Sequence, residues 1–172
     1  HTVVAEGVDL AIVDDALSRA VAVAAGARPE GPFAELAALI DGLSPARREL
    51  PLLVTVGRMH RIKGMAALVG AWAGSDLADR ANLLVVGGDL ADPSSDERHQ
   101  LDLIDAAVPA PERAERGLVI AGHRSNDVAA AWLAAARFGI PGTITPGGAY
   151  VCASVKEEFG LAILEAMATG LV

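Results

Sequence analysis

A parallel α/β sheet covered by helices on both faces is the fold class this sequence predicts, and three observations predict it. Four short apolar runs, LPLLVTVG (50–57), NLLVVGG (82–88), GLVIAG (117–122) and AYVCAS (149–154), are continuous rather than alternating, as in strands buried on both faces. A helical pattern follows each run, so strand and helix alternate along the chain. About half of the 172 residues are apolar, enough for one substantial core. Together these give a doubly wound, Rossmann-like sheet over residues 50–172, preceded by an entry segment and helices in residues 1–49.

The elements follow in order. Leu17, Ala20, Val21 and Ala24, then Phe33, Leu36, Ala37 and Ile40, predict two amphipathic helices packed beside the sheet, separated by the breakers from Gly26 to Pro32. After the first strand, Met65, Leu68, Val69 and Trp72 fall at i, i+3, i+4 and i+7, one face of a helix. The second strand leads to a helix opened by the capping box from Ser94 to Glu97 and carrying Leu101, Ile104 and Val108. The third precedes a helix starting near Ser125 or Asn126. The fourth runs into KEEFGLAILEAMATG (156–170), apolar on nearly every side, a pattern that predicts a buried helix. Glu165 is the only charge between Glu158 and the C-terminus, and a carboxylate in such a helix needs a partner or a shifted pKa. Residues 26–32, 44–49 and 139–148 read as loose connections, and Trp72 and Cys152 as core.

Composition removes several function classes. A net charge of −8 argues against a nucleic-acid surface or an anionic membrane partner, so any phosphate site is local. One cysteine excludes a disulfide framework and a Cys-rich zinc site. The four histidines lack ligand spacing, and no apolar run is long enough to span a bilayer. A soluble, cytoplasmic protein is expected. A dinucleotide-binding reading is disfavoured, because no G-x-G-x-x-G follows the first strand.

In a doubly wound sheet the ligand lies beyond the carboxyl ends of the strands, where strand order reverses, here between the first strand and the fourth. The loops leaving those strands are GRMHRIKG (57–64) and SVKEEFG (154–160). The first offers Arg58, Arg61 and Lys63, cations suited to a diphosphate. The second offers Glu157, Glu158 and a glycine at a helix start, where backbone N–H groups favour an anion and carboxylates accept from hydroxyls. A nucleotide sugar satisfies both loops. His60 and His123 sit in loops near this site and read as surface or supporting residues.

GRMHRIKG, LLVVGGD and KEEFGLAILEAMATG together resemble the C-terminal, donor-binding domain of the retaining glycosyltransferases of family four, whose GT-B fold sets two Rossmann-like domains across a cleft. The likeness covers about residues 50–172 and is closest to the sucrose synthase and sucrose-phosphate synthase branch. The resemblance implies that Glu157 meets hydroxyls of the donor sugar, that backbone amides of Phe159, Gly160 and Leu161 meet sugar and phosphate, and that Glu165, separated from Glu157 by seven residues, accepts from the ribose hydroxyls. Arg58 and Lys63 match the family's phosphate-binding pair, next to Gly57, and Asn126 and Arg124 lie where the sucrose-type enzymes approach the donor. It further implies a hexosyltransferase that uses a UDP-, ADP- or GDP-hexose, UDP-glucose among them, with no cofactor and no metal. In keeping with that, no Asp-x-Asp occurs.

Nothing in the chain resembles the acceptor-binding N-terminal domain of such enzymes. HTVVAEGVD reads as the segment by which the chain enters this domain, and the C-terminus stops short of the family's next strand. The expectations are a fragment inactive by itself and prone to self-association through an unpaired strand edge. The other reading is a non-catalytic nucleotide- or nucleotide-sugar-binding module.

Overall fold

Strand and helix alternate in space as they do in sequence. The computed structural model describes residues 7–171; most of the entry segment read in HTVVAEGVD lies outside them. In chain order the elements are α1 (Leu10–Ala24), α2 (Pro32–Asp41), β1 (Leu52–Val56), α3 (Met65–Ala73), α4 (Leu77–Arg80), β2 (Asn82–Val86), α5 (Ser95–Ala107), α6 (Arg113–Arg116), β3 (Leu118–Gly122), α7 (Asn126–Phe138), β4 (Ala149–Tyr150) and α8 (Leu161–Ala168). The sheet order is β3-β2-β1-β4, parallel throughout. Chain order therefore reverses between β1 and β4, as the sequence predicts.

Continuous apolarity in the strands has its expected cause. Leu84 and Val86 join the core on one side of the sheet with Leu52 and Val54, while Leu83 and Val85 join the other with Leu118. Met65, Val69 and Trp72 of α3 and Ile104 of α5 cover the second side. β1 begins at Leu52 rather than Leu50 because Pro51 has no N–H to give a ladder; its carbonyl instead accepts from Asn82. The capping box forms: Glu97 N–H donates to Ser94 Oγ and Ser94 N–H to Glu97 Oε2.

The first side carries two helix layers. Every residue of α7 from Ala129 to Ala136 is buried, because the sheet lies against one face and α1 and α2 against the other. Alanine at six of those eight positions keeps the helix thin enough for both approaches. α1 and α2 thus reach the sheet through α7 rather than sitting directly beside it. Phe33, Leu36 and Ile40 are buried as expected, but the buried stripe of α1 is Val13, Ala16, Ala20 and Val23, and Val21 is exposed. The small Ala16 and Ala20 set the close face against α7, overriding the bulkier stripe that includes Val21.

Three further expectations are corrected. β4 pairs for only two residues, not the six of AYVCAS: after Val151 donates to Val54 the chain leaves β1 and turns toward the loop that follows it. Cys152 lies on that departing segment and is exposed, not core. In α8 only Ala166 is buried, while Leu164 and Met167 are exposed, because α1 and α7 pack against one side of it. No helix among the described residues is long and apolar enough to cross a membrane.

Candidate functional site

At the carboxyl end of the sheet, where β1 and β4 part, lies a cleft of about 1200 Å3. Its position follows from topology: neighbouring strands that send their chains to opposite faces leave a gap between the departing loops. All ten site residues named from the sequence line it, namely Gly57, Arg58, Lys63, Arg124, Asn126, Glu157, Phe159, Gly160, Leu161 and Glu165.

The β1 loop and the segment after β4 are held together by backbone. A 3-10 turn, Arg61–Lys63, follows β1, and Val155 N–H donates to the Ile62 carbonyl at 2.8 Å. Gly64 closes the turn at φ +67, and a Cβ there would come within 2.1 Å of the Ala153 carbonyl oxygen. Gly87, at φ +143 after β2, approaches the Gly57 carbonyl still more closely: a Cβ would lie 1.7 Å away. Replacing Gly64 by alanine should therefore cost about 1–3 kcal/mol for the clash and about 1–2 kcal/mol for the left-handed backbone. Urea unfolding measures the sum; a loss below about 1 kcal/mol would mean that the loops are not locked at this point.

This locking brings Lys63 to Glu157. Lys63 Nζ donates to Glu157 Oε2 at 2.7 Å, and Ser154 Oγ donates to the other carboxylate oxygen. Lys63 first, then Ser154, holds the Glu157 carboxyl below the usual range, so it is ionised at neutral pH. Arg58 is exposed and makes no ion pair among the described residues.

Glu165 presents the opposite case. It projects from α8, half-buried, its carboxylate makes no hydrogen bond or ion pair to any described residue, and burial alone pushes its pKa up. Gly160, in a left-handed conformation, starts this helix, and Leu161 and Ala162 line the cleft. The N–H groups of a helix's first turn have no carbonyl partner within it. A helix N-terminus and a carboxylate with no partner among the described residues thus face the same space.

The far wall is the loop after β2. Glu97 accepts from Asp89 N–H, Ser94 N–H and Ser94 Oγ, and the Ser94 contacts hold it below the usual carboxylate range. Asn126 is exposed at the first turn of α7. Arg124 lines the rim, but its guanidinium is engaged: Nε donates to Glu35 at 3.1 Å and its plane lies 5.2 Å from the Trp132 ring centre.

Sequence reasoning did not single out Ser154 or the Glu97 wall. Signals for both were present, as Ser-x-x-Glu at 154–157 and as the capping box itself. His60, which reads from the sequence as a surface or supporting residue, lines the cleft. Among the described residues no three His, Cys, Asp or Glu side chains gather in a way that could hold a metal ion. Two cations, a helix N-terminus and two carboxylates in unlike environments can bind an anion and a hydroxyl-bearing group side by side.

Comparison with known proteins agrees in kind. No curated protein sequence matches the chain. Among solved structures, a glycosyltransferase from Rickettsia africae ESF-5 superposes with a TM-score of 0.62 at 21% identity, over 99% of this chain and 36% of the other. That likeness shows the fold, and the chain spans about a third of the neighbour's length. The family profile described as "Glycosyl transferases group 1" matches residues 50–172, the whole βα alternation that builds the cleft. By that match the chain belongs to the group 1 glycosyltransferases.

Proposed function

We propose that this chain is the donor-binding part of a retaining hexosyltransferase that takes a nucleotide-diphosphate hexose, on the sucrose synthase and sucrose-phosphate synthase side of its family. The observation that carries the reading is the pairing of unlike carboxylates in one cleft: Glu157 held ionised by Lys63, and Glu165 half-buried with no partner among the described residues. Desolvating a carboxylate costs free energy, and ribose hydroxyls that donate to Glu165 would recover it. In this reading the diphosphate takes Arg58, Lys63 and the N–H groups at the start of α8. Sugar hydroxyls then donate to Glu157. As the bond from the anomeric carbon to the diphosphate breaks, charge builds on the leaving oxygens, and the two cations offset it.

The acceptor belongs to a second domain across the cleft, and transfer requires that domain. The free side of β4 gives this chain a route to self-association. Calorimetric titration with UDP, ADP and GDP tests the reading. One nucleotide is expected to bind, and Arg58→Ala is expected to weaken it by about tenfold or more, the worth of one charge-assisted hydrogen bond. A folded chain that binds none of the three overturns it.

A further inference from the structure

His60 makes more contacts within the β1 loop than a surface histidine requires. Its N–H donates to the Arg58 carbonyl at 2.8 Å, and its own carbonyl accepts from Lys63 N–H at 2.9 Å. Its ring Nδ1 accepts from Ile62 N–H at 3.3 Å, capping the 3-10 turn. The ring's far nitrogen, Nε2, lies 3.4 Å from Asp96 Oδ2 in the first turn of α5. One residue therefore ties Arg58 to Lys63 through backbone, and sets its ring edge beside Asp96 of the neighbouring βα unit. Nδ1 can accept from Ile62 only while it carries no proton, which leaves the ring's proton on Nε2, the nitrogen that faces Asp96.

The segment so fixed is the one that bears the cleft's cations. Ile62 also accepts from Val155 N–H, so the capped turn is the link by which the segment after β4, with Glu157, is registered against Lys63. Alanine at position 60 would keep the backbone bonds but leave Ile62 N–H without its side-chain acceptor, and would free the turn from α5.

We infer that His60 is a positioning residue: its imidazole clamps the turn Arg61–Lys63 between α5 and the β4 segment, so that Arg58 and Lys63 are preorganised for a diphosphate. This rests on the donor-binding reading above. His60 itself need not touch the ligand. Its contribution is to spare the loop the ordering cost at the moment of binding.

Inorganic pyrophosphate is the probe, titrated calorimetrically into the whole 172-residue chain as wild type, His60→Ala and His60→Asn, with amide exchange at Ile62 followed by NMR. Asparagine offers a side-chain oxygen at nearly the place of Nδ1. His60→Ala is expected to bind pyrophosphate about three- to tenfold more weakly and to exchange the Ile62 amide about tenfold faster, the scale of one lost cap. His60→Asn is expected to restore both, which a merely space-filling role would not produce. If wild type binds pyrophosphate and His60→Ala binds it equally well, the proposal is overturned while the donor site stands. If wild type binds none, the phosphate reading of the site fails, and the positioning of cations for a diphosphate fails with it. Unchanged Ile62 exchange in His60→Ala overturns the clamp in either case.

Discussion

Replacing Glu165 by glutamine is expected to make the free protein more stable and to weaken nucleotide binding by about tenfold to a hundredfold, the range for a charge-assisted hydrogen bond. The two effects share one cause. Burial raises the Glu165 pKa, and no described residue compensates. A carboxyl whose folded pKa is raised gives stability that is present below its unfolded value of about 4.3 and lost as pH rises through the folded value. At neutral pH the wild type has already lost it; a glutamine has no charge to desolvate. Glu157 has the opposite sign, since Lys63 and Ser154 lower its pKa, and its contribution is present above about 4.3 and lost as pH falls through the folded value. Thermal melts of Glu165→Gln between pH 4 and 8, set beside nucleotide titrations, read both halves. A melting temperature lower than wild type at pH 7 would mean that Glu165 has a structural partner and is not held in reserve for a ligand. Such an exchange of stability for binding is common at sites built to meet a ligand.

Arg47→Ala is expected to cost about 2–5 kcal/mol, a fall of roughly 5–15 °C in melting temperature. Arg47 is 7% exposed, and its guanidinium donates to Asn82 Oδ1 at 3.0 Å and to the carbonyls of Ala78 and Ala81 at 2.6 and 3.1 Å. Asn82 returns a bond from Nδ2 to the Arg47 carbonyl at 2.7 Å. Truncation would strip the Asn82 oxygen and the Ala78 carbonyl of donors, each at about 1–3 kcal/mol; Ala81 keeps a bond from Trp72 Nε1. Because Asn82 opens β2 opposite Leu52 of β1, the network also fixes the register that carries Gly57 and Gly87 to the cleft. Arg48→Ala is the control: its pair with Asp41, at 3.4 Å and about half exposed, should be worth no more than about 1 kcal/mol. Urea unfolding of both variants decides the matter. Equal losses would show that the buried network contributes nothing beyond a surface pair.

Arg47 also marks where the sequence stops being informative. Its stretch, 44–49, reads as loose connection, since its partner lies 35 residues away and no local pattern announces it. The same limit explains α1, whose buried stripe was chosen by the alanines of α7, and Cys152, whose exposure follows from the departure of the chain from β1. The cleft was far more legible. Gly57, Arg58 and Lys63 stand on the loop after one apolar run, and Glu157, Gly160 and Glu165 on the loop and helix after another; parallel strands with the observed order bring those two loops together.

The sequence by itself determined the alternation of strand and helix, the all-parallel sheet, the reversal between β1 and β4, and which side chains the loops there would offer. Periodicity, glycine punctuation and charge placement are local, and the handedness and adjacency of βα units leave few ways to assemble them. Only the tertiary structure decided that Lys63 is already paired with Glu157 and that the Glu165 carboxylate is half-buried with no partner among the described residues. Those facts depend on contacts between segments about 90–100 residues apart and on how much water each carboxylate keeps. Neither is written in any stretch of sequence short enough to read a pattern from.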